Sequence, residues 1–300
     1  MHLGPTLVLD TFAEAFPMRY VRVIVTADDE YWLDASLREL TGYGASVIGC
    51  DAEVGVEQRL DPSETPDGRP GAAVLAFAFS SEALAQAMPN RVGQGVMTCP
   101  TTAVFDGLPG AEKSIPLGRN LRFFGDGFQK SKLLGDRRYW RIPMMDGEFV
   151  VEERLGVGKG IAGGNLILQA DTQPTALAAA RRATEATSSL SGVMAPFPGG
   201  VVRSGSKVGS RYKQLVASTN DSFCPTLRGQ VETQLVAGAN CAYEIVLDGI
   251  DQPSIEATLR KAIEAAAGEG VLAIGAGNYG GKLGKYHFHL RELFDRKSDD

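Results

Sequence analysis

The sequence predicts an α+β fold of two ferredoxin-like lobes, because the order strand, helix, strand, strand, helix, strand occurs once in each half. A weak internal repeat agrees with this: Ile24 and Ile167 are 143 residues apart, as are Asp28 and Asp171. The glycines add a third observation. There are 36 in 300 residues, well above the average of about 7%, and they cluster in short loops between apolar runs, which points to tight turns and close backbone approach. The first lobe is placed at 1–157, with a hairpin-rich extension over 122–154, and the second at 158–300.

In the first lobe a β-branched run from Val21 to Thr26 leads through Asp28 and Asp29, both good N-cap residues, into a helix burying Leu33, Leu37 and Leu40. Gly42 and Gly44 stop it, and "ASVIG" (45–49) reads as the second strand. After the Pro/Gly loop "DPSETPDGRPG" come strand "AAVLAFAF" (72–79), cap candidates Ser80 and Ser81, helix "EALAQAM" and strand "GVMTC" (95–99). In the second lobe strand "NLILQA" (165–170) precedes a helix with Pro174 near its start, where the missing N–H costs nothing. Strand "CAYEIVLDG" (241–249) follows, then a helix with Ile255, Leu259, Ala262, Ile263 and Ala266 on one stripe, and strand "VLAIG" closes the lobe.

The net charge of −6 argues against nucleic acid as a partner, since phosphate binding needs a basic surface. "AAVLAFAF" is the longest apolar run and falls far short of the roughly 20 residues that span a bilayer, and "MHLGPTLVLDTF" lacks the basic region of a signal peptide. No membrane association and a cytoplasmic location are therefore expected. Cys50, Cys99, Cys224 and Cys241 lie far apart without a CxxC pair, so neither a zinc framework nor a disulfide scaffold is expected.

Several motifs fail on inspection. G-x-G-x-x-G occurs at Gly158, Gly160, Gly163 and at Gly275, Gly277, Gly280, but no helix opens after either, as a dinucleotide site requires. In "GGVVRSGSK" (199–207) Ser206 stands where a P-loop needs Lys. His287 and His289 share a strand face without a third ligand at a convincing spacing, so no metal site is expected. One residue stays ambiguous. Along Cys241 to Leu247 the alternation puts Glu244 between Ala242 and Val246. It is either a solvated carboxylate on a wet face or an acid held in a partly dry cleft for proton chemistry.

Eight blocks in order carry a resemblance: "LDTFAEAF" (9–16), "ETPDGRPG" (64–71), "FFGDGFQ" (123–129), "APFPGG" (195–200), "SKVGS" (206–210), "ASTNDSFCP" (217–225), "YEIV" (243–246) and "AGNYGGKLGKYHFHL" (276–290). Together they resemble the formylmethanofuran:tetrahydromethanopterin N-formyltransferase family over nearly the whole chain. Only the tail and the stretches around 111–119 and 226–240 depart from its pattern. The resemblance implies two ferredoxin-like lobes, a homo-oligomeric dimer of dimers, and transfer of a formyl group to N5 of the pterin or its dephospho form. Methanofuran and tetrahydromethanopterin then act as co-substrates, with no tightly bound cofactor and no metal. The modest net charge is similar to that of the form in aerobic one-carbon-metabolising bacteria, a subunit of a formyltransferase/hydrolase complex, which implies hydrolase subunits as partners.

Carried onto this sequence, the family's proposed acid is Glu244. The blocks also nominate substrate-binding residues: Thr11, Phe12 and Glu14; Phe197, Pro198, Gly199 and Gly200; Lys207; Ser218, Thr219, Asn220 and Asp221; Tyr243; Asn278 and Tyr279. Phe197 and Tyr279 are suited to stacking on a flat ring, and Lys207 to a glutamyl carboxylate. The same residues also suit tight turns, helix caps and a solvated lysine. Two other functions remain open: a non-catalytic pterin-binding scaffold subunit, and a nucleotide-dependent transferase that rests only on the failed glycine motifs.

Overall fold

The computed structural model describes residues 1–295, so the last five residues of the sequence-predicted second lobe lie outside the described residues. The chain forms two compact units, Met18–Gly160 on the one hand and Met1–Pro17 with the chain from Ile161 onward on the other. The opening seventeen residues thus leave the sequence-predicted first lobe. Backbone pairing explains this: Leu7 and Val8 lie parallel to Ala273 and Ile274, and Phe12 to Ala15 run antiparallel to Tyr286–His289.

Within the unit Met18–Gly160 the sheet runs Glu53–Leu60, Gly71–Ala78, the later part of Phe12–Thr26, then Ala103–Asp106. Gly147–Glu152, Arg137–Met144 and Lys130–Leu134 extend it as hairpins, as the 122–154 pattern suggests. Helices Glu30–Thr41 and Ser81–Gly95 bury Leu33, Leu37, Leu84 and Met88 in one core with Val21, Val23 and Val74. Asp29 and Ser80 cap them, accepting from the N–H groups of Trp32 (3.0 Å) and Ala83 (3.1 Å).

Two strand expectations in this unit fail. "ASVIG" forms turns, and the second strand is Glu53–Leu60, whose apolar rhythm is masked by a bulge between Val56 and Gln58 and by the Glu57 carboxylate paired with Arg22. "GVMTC" is also a turn, because the second helix continues through Pro89 to Gly95 and the strand begins only at Ala103. The Gly158 motif lies inside strand Arg154–Ala170, where a Cβ on Gly158 would sit 2.3 Å from the Tyr20 ring. That glycine serves close packing.

In the other unit the sheet order is Val193–Met194, Cys241–Gly249, the later part of Arg154–Ala170, Val271–Gly275, then Thr6–Val8 and His2–Leu3. Counted along the chain, both units place their four principal strands in the order second, third, first, fourth. Helices Gln173–Thr187 and Gln252–Ala266 start with Pro at their first turns. The stripe Ile255, Leu259, Ala262, Ile263, Ala266 is buried against Ile245, Leu247, Leu166 and Leu168, so one face of the sheet is committed to the helices. Among the described residues no helix is long and apolar enough to cross a membrane.

Buried Arg91 closes the end of helix Glu30–Thr41, donating to the carbonyls of Leu40 (3.0 Å), Gly42 (3.0 Å) and Tyr43 (2.8 Å). Arg91→Met leaves these acceptors unmet and is expected to lower the unfolding free energy by about 1–3 kcal/mol in a urea titration. An unchanged midpoint would contradict that role.

Candidate active site

Glu244 sits mid-strand, opposite Ile167 on one side and joined on the other to Val202, whose N–H donates to the Glu244 carbonyl at 2.7 Å and whose carbonyl accepts from the Glu244 N–H at 3.0 Å. Ile245 and Leu247 point into the helix-covered core, so parity turns Glu244 to the opposite face. Across Ile167 on that face lies Gly275, which offers no side chain. The face is covered not by a helix but by the irregular segment 203–240. Fully buried Gln169 ties this segment down, its Oε1 accepting from the Val236 N–H (2.8 Å) and its Nε2 donating to the Gln234 carbonyl (3.4 Å).

Between sheet face and cover lies a cavity of about 570 Å³. Glu244 lines it together with Thr11, Lys207, Asn220, Asp221 and the Asn278–Tyr279 pair, all nominated from the sequence. No described residue donates a hydrogen bond to the Glu244 carboxyl. Burial alone pushes its pKa from the ordinary 4.5 to about 7. Glu244 thus stands in a cavity wall and not on a freely solvated face.

Other nominated residues fall elsewhere. Tyr243 points away from the cavity into the helix-covered layer, its hydroxyl accepting from Gln173 Nε2 at 3.3 Å, because adjacent strand residues face opposite sides. Phe12 packs its ring on His287 and His289, with centroids 5.0 and 5.1 Å apart, and only its carbonyl serves the site by accepting from Asn278 Nδ2 (3.1 Å). Phe197, Pro198, Gly199 and Gly200 form a tight turn closed by the Gly200 N–H on the Phe197 carbonyl, 2.7 Å. They do not line the cavity. Ser218 and Thr219 donate to the carbonyls of Gly209 (2.8 Å) and Ser204 (3.2 Å) and so stitch the cover together. Lys207 is neither free nor simply solvated. It pairs with Asp221, and that hydrogen bond holds the Asp221 carboxyl below its usual range.

Glu14 gives the largest correction. It is 1% exposed and does not line this cavity. Its Oε2 accepts from the N–H groups of Tyr279 (2.6 Å) and Gly281 (2.9 Å), and its Oε1 from those of Leu283 (2.7 Å) and Gly284 (2.6 Å). Burial pushes this carboxyl up, but the four donors outweigh it and hold the pKa below the ordinary value. Asn165 was missed by sequence reasoning. It lines the cavity, and its Oδ1 accepts from the Gly277 N–H at 2.7 Å. Its signal was available, since it shares strand parity with Ile167, the partner of Glu244. Ser206, Glu232 and Gln234 also line the cavity and were not nominated, although Ser206 opens a quoted block.

A mixed sheet backed by helices, with one carboxyl of strongly raised pKa in the wall of a polar cavity, has the features of an enzyme active site. Comparison with known proteins gives the particular family. Residues 1–144 match the model described as formylmethanofuran-tetrahydromethanopterin formyltransferase, and residues 147–293 match that of its proximal lobe. The chain belongs to this family. It is 54% identical to the formyltransferase of Methylococcus capsulatus over 288 residues, covering 95% of this chain and 96% of that one. The solved formyltransferase of Methanosarcina barkeri superimposes with a TM-score of 0.93 at 47% identity, covering 98% of this chain and all of that one. A chain of the Methylorubrum extorquens formyltransferase/hydrolase complex, solved with methylofuran, gives 0.94 at 44% identity, with 99% of each chain covered.

Because the folded state holds its Glu244 proton up to about pH 7 while the unfolded chain releases it near 4.5, wild-type stability falls as pH rises through that window and levels off above it. Glu244→Gln removes this penalty, which amounts to up to roughly 3 kcal/mol. The variant's advantage in melting temperature should therefore open between pH 4.5 and 7 and persist above. An advantage independent of pH would contradict the burial of this carboxyl.

Proposed function

We propose that this chain transfers a formyl group between formylmethanofuran and N5 of tetrahydromethanopterin or its dephospho form, with Glu244 as the acid of the reaction. The observation that carries the reading is the Glu244 carboxyl in the cavity, with a pKa raised to about 7 by burial. A general acid works best when its pKa lies near the operating pH.

In the reaction the N5 lone pair attacks the formyl carbon, a C–N bond forms, and the carbonyl electrons move onto oxygen. Glu244 donates its proton to that oxyanion. On collapse the hydroxyl proton returns to the Glu244 carboxylate, the C–N bond to methanofuran breaks, and the departing amine takes up the proton that N5 sheds. One formamide replaces another, so the exchange balances without ATP. The barrier is kinetic, and the protein lowers it in two ways: holding both substrates in attack geometry contributes up to about 7–11 kcal/mol, and each preorganised oxyanion donor contributes about 10²–10³ in rate.

The polar wall formed by Thr11, Asn165, Asn220 and Asn278 suits the edge of a pterin, which presents both donors and acceptors. Both co-substrates come and go, and no tightly bound cofactor is needed. We read each unit as a ferredoxin-like lobe, which the shared strand order supports. By analogy with the Methylorubrum extorquens complex, we assign the protein hydrolase subunits as partners, with a homo-oligomeric dimer of dimers as its own assembly and the cytoplasm as its location.

The test is to mix purified protein with formylmethanofuran and tetrahydromethanopterin and to follow the formylated pterin. Wild type should turn over, with kcat falling as pH rises through about 7 as the acid ionises. Glu244→Gln should lower kcat by about a hundredfold or more with little change in either KM. Pterin binding without product would identify a scaffold, and near-wild-type kcat in the variant would remove the acid assignment.

A further inference from the structure

We infer that Glu14 is a positioning residue of the site, holding the Tyr279 phenol in the cavity beside Glu244 as a second hydrogen-bond donor to the reacting formyl oxygen. The inference rests on the formyl-transfer reading for the identity of the acceptor, and on geometry for everything else.

Loop residues 278–284 have no regular structure to fix them. They belong to neither of the strands Val271–Gly275 and Tyr286–His289, and Gly280 and Gly281 adopt left-handed φ angles of 70° and 72°. A segment of this kind ordinarily satisfies its N–H groups with water and moves. Here four of them, from Tyr279, Gly281, Leu283 and Gly284, converge on a single carboxylate that is 1% exposed. Charge-assisted hydrogen bonds are roughly twice as strong as neutral ones, so this cradle is far stiffer than the loop's sequence suggests. Asn278 completes the clamp, donating to Thr11 Oγ1 and to the Phe12 carbonyl, each at 3.1 Å.

The cradle's first donor is the backbone N–H of Tyr279, and the Tyr279 side chain lines the cavity that Glu244 also lines. Ser206 lines the same cavity as Tyr279. Burial raises the phenol's pKa, Ser206 pulls it down, and the nearby Glu244 and Glu14 charges add to the rise. Tyr279 therefore stays protonated, and available to donate, throughout the range in which Glu244 titrates. Glu14 reaches no substrate and acts only through the loop.

Tyr279→Phe should lower kcat by about a hundredfold with smaller changes in KM, as for loss of one oxyanion donor. Glu14→Gln keeps the size but presents an NH₂ group to two of the four N–H donors. It should reduce kcat per folded molecule by a comparable factor, and the double variant should be no slower than the slower single variant. A merely structural Glu14 would lower stability, leave kcat per folded molecule intact, and combine additively with Tyr279→Phe. A second readout does not depend on turnover: with tyrosine labelled with carbon-13 at the hydroxyl-bearing ring carbon, the resonance lost in Tyr279→Phe should be displaced from the free-tyrosine position in wild type and return towards it in Glu14→Gln. If Glu14→Gln does not fold, Gly281→Ala, which places a side chain at φ 72° within the same cradle, should produce the same displacement. An unmoved Tyr279 resonance, additive effects, or near-wild-type kcat in Tyr279→Phe would each overturn the inference. A wild-type protein with no formyl transfer would instead sink the functional reading and leave the resonance to decide the role of Glu14.

Discussion

The site depends on withholding hydrogen-bond donors from one carboxyl. Glu244 and Glu14 belong to the same unit, Glu14 almost fully buried and Glu244 partly so in a cavity wall, yet their chemistry diverges. Glu14 receives four N–H donors and is held as a carboxylate. Glu244 receives none from the described residues, so desolvation acts unopposed and favours the neutral acid. Two copies of one side chain thus differ: one is an anion bonded by four backbone N–H groups, the other an acid that keeps its proton towards pH 7 beside a cavity. Environment alone can thus separate the pKa values of a single residue type near neutral pH.

The backbone makes this possible. A strand presents alternate residues to opposite faces, and here one face is occupied by two helices packed on Ile245 and Leu247. The other face would ordinarily be wet. Instead segment 203–240 lies over it, pinned by the Val202–Glu244 bridge and by Gln169, while Gly275 leaves room across the sheet. The cover is rich in polar side chains, and these pair among themselves, Lys207 with Asp221 and Ser218 with a carbonyl, so they do not neutralise Glu244.

Legibility from the sequence follows the range of the interactions involved. Strands Cys241–Gly249 and Val271–Gly275 and the stripe of helix Gln252–Ala266 have the bounds and faces that their alternation and 3.6-residue period announce, because one partner face decides each residue. "ASVIG" looks apolar enough to be a strand but has no partner to pair with. Glu53–Leu60 pairs fully, although Gly55, Glu57 and Arg59 disguise it. The position of Glu244 is readable, but its raised pKa is not, since the covering segment 203–240 has no periodicity. The bonds of Glu14 are not readable, because its donors lie 265 or more residues away in the chain. Tyr243 was nominated through a shared block although parity alone turns it from the cavity.

Everything at this site turns on the Glu244 carboxyl keeping its proton well above the ordinary glutamate value of 4.5, up to about pH 7. Difference infrared spectroscopy between wild type and Glu244→Gln, taken across a pH titration, isolates the carbonyl stretch of this one protonated acid. The account predicts a band that persists well above pH 4.5 and disappears with a midpoint near 7. Loss of the band around pH 4.5, as for an ordinary glutamate, would contradict it.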